Sequence, residues 1–279
     1  MKIRHRIAFS KETVSPTFIS FLKEKNAKFD RSSSYIGVAY IFEEEDWRED
    51  LYRFYHAEQI SPIIDVIYSK DEYDRAEWLS IRSKFRFEYP QPEDSFAYKK
   101  HTYDSKCYCE KCGCGLTQIE SFRVNRSPKW MNRHFLMLNW VYDELFISSF
   151  AKECINSNEI DGLKFMNVIN HKKNTIFDDF HQIYVESKLE PGMTDLNKSV
   201  AEYRNCNVCG SEKYIYSGRG LTFKKDVFKH VAVDILKTYE SFGEGHICGK
   251  IIIISKKLYQ IIKNNGLDKD LAYEPILLT

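Results

Sequence analysis

Lys106-Cys107-Tyr108-Cys109-Glu110-Lys111-Cys112-Gly113-Cys114-Gly115 and Asn205-Cys206-Asn207-Val208-Cys209-Gly210 are the two stretches on which the reading of this chain turns. Each holds one C-x-x-C-G unit. A two-residue gap lets one tight turn aim both sulfurs at a single ion, and the following glycine permits the positive backbone dihedral that brings amides toward the thiolates. One such unit could equally be a redox pair. Two of them, Cys109 with Cys112 and Cys206 with Cys209, supply four thiolates and predict a closed, tetrahedral, structural Zn²⁺ site. Between Cys112 and Cys206 lie 93 residues, far more than in an ordinary zinc ribbon, so the ion would staple distant parts of the fold. Lys106, Lys111, Arg204 and Lys213 lie near enough to offset a local charge of about −2. Either Cys107 or Cys114 could replace a ligand, but neither belongs to an x2 pair and both are read as bystanders.

Outward from these knuckles, the chain reads as a soluble, cytoplasmic globular protein. Its 279 residues are 43% hydrophobic and 29% charged, which excludes a disordered or fibrous chain. The longest aliphatic run, Ile251 to Ile254, is too short for a membrane span, and the N-terminus lacks the apolar stretch of a secretory signal. The 41 basic residues balance 40 acidic ones, giving +1, which disfavours a nucleic-acid binder. Aromatic residues reach 15%, read first as a core rich in large rings.

Before the first knuckle, alternation predicts strands at residues 2–9, 35–42 and 63–68. Ser15-Pro16 opens a helix to about Ala27, and residues 46–59 form a second with Trp47, Leu51, Phe54 and Tyr55 inward. A helix over 71–80 and a strand over 85–89 follow, then a Pro-bearing linker at 90–105. After it the chain repeats weakly at an offset of 107. Ser148 and Ser255 each cap a helix after a strand, and Ala151, Cys154 and Ile155 match Leu258, Ile261 and Ile262. The fold expected is therefore α+β, an N-terminal α/β domain over 1–100 and a duplicated strand–helix–strand region over 101–279 with an embedded, zinc-ribbon-like site of four cysteines. Cys154 is expected as a small buried hydrophobe and Cys248 inside a strand entering Gly249 to Ile254. Ser217 to Gly220 reads as a solvent loop, Asp178, Asp179 and His181 as a polar loop, and Asp234 to Gly245 as the end of a helix. No catalytic constellation emerges.

The paired units, with Trp140–Ser148 (WVYDELFIS) and the ending from Asp234 (DILKTYESFG…IIIISKKLYQIIKNNG…YEPI), resemble the double-CxxCG motif proteins of bacteria over roughly residues 100–279. Some members are regarded as immunity proteins that neutralise a toxin delivered between competing cells. The resemblance implies a cognate protein toxin as partner and the four knuckle cysteines as the family's metal-binding residues. Two other classes compete with this reading. One is a zinc-ribbon nucleic-acid-binding or regulatory protein using Lys224, Lys225, Lys229 and Lys237. The other is a zinc enzyme, which four cysteines disfavour because they leave no open coordination position.

Overall fold

The computed structural model describes residues 1–30, 34–196 and 200–279. Its contacts divide the chain into two compact units, one of residues 1–74 with 217–220, the other of 75–216 with 221–279.

In the first unit, alternation in Lys2–Ser10 puts His5, Ile7 and Phe9 on one buried face. This strand sits inside an antiparallel sheet ordered Lys28–Asp30, Ile36–Phe42, Lys2–Ser10, Ile63–Ile67. The expected helices are Pro16–Glu24, whose first turn is capped by Ser15 with Pro16 at the first position, and Arg48–Ala57, entered through a 3-10 turn at Glu45–Trp47. Phe18, Leu22, Leu51 and Tyr55 from these helices close the core against Ile7, Phe9, Ala39 and Ile41. Among the described residues its pairings are antiparallel, so the unit is α+β in detail.

The chain then departs from expectation. The helix over 71–80 is only Lys70–Arg75, and Trp78–Ser83 is a strand with Leu79, Ser80, Ile81 and Ser83 buried. Residues 90–105 are not a linker. They form short helical turns at Asp94–Phe96 and Tyr98–Thr102 and bury Tyr98 and Thr102 in the second unit, so the division falls after Asp74 rather than near residue 100. Their prolines punctuate a packed segment, which composition alone does not distinguish from an exposed one.

The duplication is present in the fold and extends beyond the sequence match. A six-stranded sheet contains, in order, Phe135–Leu138, Leu145–Ile147, Thr175–Tyr184 and Lys164–Asn170. A four-stranded sheet has the same antiparallel order in Ile235–Lys237, Ile252–Ser255, Trp78–Ser83 and Leu271–Pro275. The third strand in that order comes from opposite directions along the chain: Thr175–Tyr184 follows the other three strands of its set, whereas Trp78–Ser83 precedes them. The helices Ser149–Asn156 and Lys256–Asn264 follow equivalent strands, and the Ser148 and Ser255 hydroxyls accept from the amides of Ala151 and Leu258. At the other end the Asn158 and Asn265 amides donate to the carbonyls of Cys154 and Ile261, at 2.7 and 2.8 Å. Cys154 is half-buried, while the core-facing positions are Ala151 and Ile155.

Candidate metal centre

Both knuckles are tips of two-stranded hairpins. The first lies between Tyr103–Asp104 and Thr117–Gln118, the second between Val200–Asn205 and Glu212–Tyr216. Their backbones fold alike. Gly113 N–H donates to the Cys109 carbonyl at 2.7 Å, and Gly210 N–H to that of Cys206 at 2.8 Å. Cys109 N–H donates to the Cys114 carbonyl, and Cys206 N–H to that of Ser211. Gly113 and Gly210 have φ of 79° and 71°, the left-handed region expected after the second cysteine. Gly113 is further constrained, because a Cβ there would lie 2.0 Å from the His246 carbonyl oxygen.

These turns bring Cys109, Cys112, Cys206 and Cys209 together, all four sulfurs within 4.8 Å of one another, so that they could hold a metal ion. The Sγ–Sγ separation is 3.8 Å for Cys109–Cys206 and 3.5 Å for Cys112–Cys209, in each case across 97 residues of chain. The first three cysteines are buried and Cys209 is exposed. Cys107 is exposed and stays outside the cluster.

The electrostatics differ between the knuckles. Burial pushes the Cys112 thiol up to about 12, whereas Cys209 is drawn down to about 6 by the Ser211 hydroxyl and amide. The amides of Cys209 and Val208 lower Cys206. The second knuckle is thus already disposed to hold thiolates, which are the form that binds a metal. Lys213 is the one nearby cation that is buried. Its ammonium donates to the carbonyls of Cys112, Gly245 and Ile247 at 2.8, 2.6 and 2.9 Å, tying the second hairpin to the first knuckle and to the 245–247 turn. Burial lowers its pKa and the neighbouring sulfurs oppose that shift. Lys111 reaches across to Asn207 at 2.6 Å, Lys106 pairs with Asp104, and Arg204 with Glu202.

Several sequence expectations are corrected here. Cys114 stays outside the four-sulfur cluster, as expected, but it is disulfide-bonded to Cys248, which is not inside a strand; their Cα atoms are 5.2 Å apart at a sequence separation of 134. Cys248 lies in the loop that follows the 245–247 turn, which packs on the first knuckle, and His246 is exposed. Asp234 to Gly245 is not a helix end but begins with the strand Ile235–Lys237. Asp178, Asp179 and His181 lie within the strand Thr175–Tyr184, where Asp179 accepts from the Ser149 amide at 2.6 Å. Ser217 to Gly220 is no solvent loop, since Arg219 is paired with Glu43 and bonded to Tyr52 in the first unit. The proposed basic footprint is dispersed too: Lys229 pairs with Asp226 at 2.7 Å, Lys225 with Glu77 at 3.9 Å, and Lys237 is buried against Glu144.

Sequence reasoning missed the Cys114–Cys248 pairing, the buried Glu144–Lys237 pair and the reach of Arg219. Each depends on tertiary approach between segments with no local pattern in common. No protein-family model and no curated protein matches the chain.

Proposed function

We propose that the protein is a cytoplasmic immunity protein, clamped by one structural Zn²⁺, that binds a cognate bacterial toxin and neutralises it without chemistry of its own. The observation that carries the metal half is the sulfur cage. A tetrahedral ion with Zn–S bonds of ~2.3 Å holds its sulfurs ~3.8 Å apart, against separations of 3.8 and 3.5 Å between equivalent cysteines of the two knuckles. Cys109, Cys112, Cys206 and Cys209 would fill the coordination shell, leaving no position for water or substrate, and such an ion contributes folding energy rather than catalysis.

The partner half is supported by the likeness of CEKCG, NCNVCG and the flanking segments to double-CxxCG proteins. It also fits physically, because a neutralising binder needs a pre-organised surface, and rigidity reduces the entropy lost on association. In a reducing cytoplasm Cys114 and Cys248 would stand as thiols.

Coexpression with the toxin encoded beside its gene tests this reading. Wild-type protein should restore growth. Killing that proceeds equally with the protein abundant, folded and metal-loaded would overturn it. Replacement of the ion by Co²⁺ should give the absorption of four-thiolate ligation, and a mixed-ligand spectrum would overturn the ligand set.

A further inference from the structure

A cavity of about 500 Å³ opens beside the first knuckle, in the range of small-molecule sites. One wall is aromatic. Trp140 and Phe96 lie with ring centroids 4.5 Å apart, and Tyr98 stacks on Trp140 at 6.3 Å. Both Trp140 and Phe96 hold left-handed backbones, φ of 64° and 58°. Bulky side chains rarely adopt this conformation, and it persists where surroundings enforce it, commonly at ligand clamps. Two strained aromatic residues on one cavity wall are thus an observation independent of the cavity itself.

The charges are unequal. Of the carboxylates lining the cavity, Glu144 and Asp143 face the buried Lys237, and Glu186 is paired outward with Lys164. Lys99, Lys188 and Lys250 also line it, and among the described residues none of them makes an ion pair. Lys99 bonds the Tyr108 hydroxyl at 2.9 Å, and Lys250 reaches only the Tyr239 carbonyl. Burial, aided by the Lys188 charge, draws Lys250 down to about 8. With Asp143 and Glu144 set against Lys99, Lys188, Lys237 and Lys250, the lining keeps an excess of two positive charges, more than a monocarboxylate would neutralise, whereas a phosphate monoester carries about −1.5 to −2 at neutral pH and is suited to lysine point charges.

We propose that this cavity binds a nucleoside monophosphate, with its base on the Phe96–Trp140 wall and its phosphate at Lys188 and Lys250. Planar bases stack on aromatic side chains with little sequence preference, so the four common mononucleotides should all bind. This inference is independent of the toxin reading.

The test is titration of the metal-loaded full chain with AMP, GMP, CMP and UMP, followed by tryptophan fluorescence and by calorimetry, with adenosine and inorganic phosphate as separate arms. The expected result is saturable quenching by the mononucleotides, with either fragment alone at least ~10-fold weaker. Trp140→Phe should abolish most of the quenching while calorimetric binding remains. Lys188→Met/Lys250→Met should weaken binding at least ~10-fold with an unchanged melting temperature. Absence of saturation by any mononucleotide up to ~1 mM on folded protein, or undiminished binding by the double lysine variant, would overturn the proposal.

Discussion

Replacing both cysteines of the second knuckle, Cys206→Ser with Cys209→Ser, would remove the cross-link that a bound ion makes between the hairpins without touching the first knuckle. The bridge joins positions 97 residues apart. In the chain-entropy treatment, a cross-link closing a loop of that length restricts the unfolded chain by about 4.7 kcal/mol, whatever further energy the metal–sulfur bonds add. For a unit of roughly two hundred residues, each kcal/mol moves the melting temperature by about 2–4 °C, so a fall of about 10–20 °C is expected. The assay is a thermal melt in reducing buffer, with Cys114 and Cys248 as thiols, beside elemental analysis. Metal should drop from one ion per chain to none. Chelation of the wild-type protein should reproduce the same fall, which guards against a variant that does not fold. Cys154→Ala is the control, with unchanged metal and a cost below about 1 kcal/mol at a half-buried site. Retention of one ion per chain in the double variant, or a melting temperature within about 3 °C of wild type, would refute the clamp.

Further outcomes follow from single contacts. Lys213→Met leaves three carbonyls near the knuckles without their donor. It should cost on the order of 3 kcal/mol in denaturant titration and speed metal loss to a competing chelator at unchanged stoichiometry. Glu43 is subject to burial, which raises its pKa, but hydrogen bonds from His5 and Arg219 outweigh that and hold it at about 2 against 4.5 unperturbed. Its contribution, about 3 kcal/mol, is therefore complete above pH 4.5 and disappears as pH falls through 2; urea midpoints of wild type should decline more steeply over that window than those of Glu43→Gln, in which Glu72 and Asp226, also held low, still titrate. Ser148→Ala and Ser255→Ala remove equivalent helix caps and should each cost about 1 kcal/mol in the same titration, a large inequality arguing against equivalent roles.

Local chemistry is readable in the sequence. The Ser15-Pro16 cap, the inward stripe of the helix Arg48–Ala57, the matched caps at Ser148 and Ser255, and the two C-x-x-C-G turns each lie within a few residues of chain, where spacing determines geometry. Expectation and structure part where a segment's partner lies elsewhere. Trp78–Ser83 overlaps a helical pattern, and its strand character comes from neighbours at 252–255 and 271–275. Arg219 reads as a solvent residue because its carboxylate, Glu43, is 176 residues away. Cys248 carries no local mark of its bond to Cys114, and Lys237, which reads as part of a basic footprint, is paired with Glu144, 93 residues away.

The duplication explains how cysteines so far apart can meet at one point. The hairpin of the first knuckle precedes Phe135–Leu138, Leu145–Ile147 and Lys164–Asn170, and that of the second precedes Ile235–Lys237, Ile252–Ser255 and Leu271–Pro275, so apart from the displaced strands Thr175–Tyr184 and Trp78–Ser83 each half runs knuckle, strand, strand, capped helix, strand. The shortest sulfur contacts join equivalent positions, Cys109 to Cys206 and Cys112 to Cys209, the pattern of a self-complementary contact between two copies of one element. The same equivalence explains Cys114. It occupies the place of Ser211, the residue whose carbonyl accepts from the amide of its knuckle's first cysteine. In the second knuckle that position gives a hydroxyl to Cys209; in the first it gives a sulfur to Cys248. Neither side chain belongs to the four-sulfur cage, because the cage is built from the two cysteines that begin and end each turn, and the residue closing the turn supports it from outside.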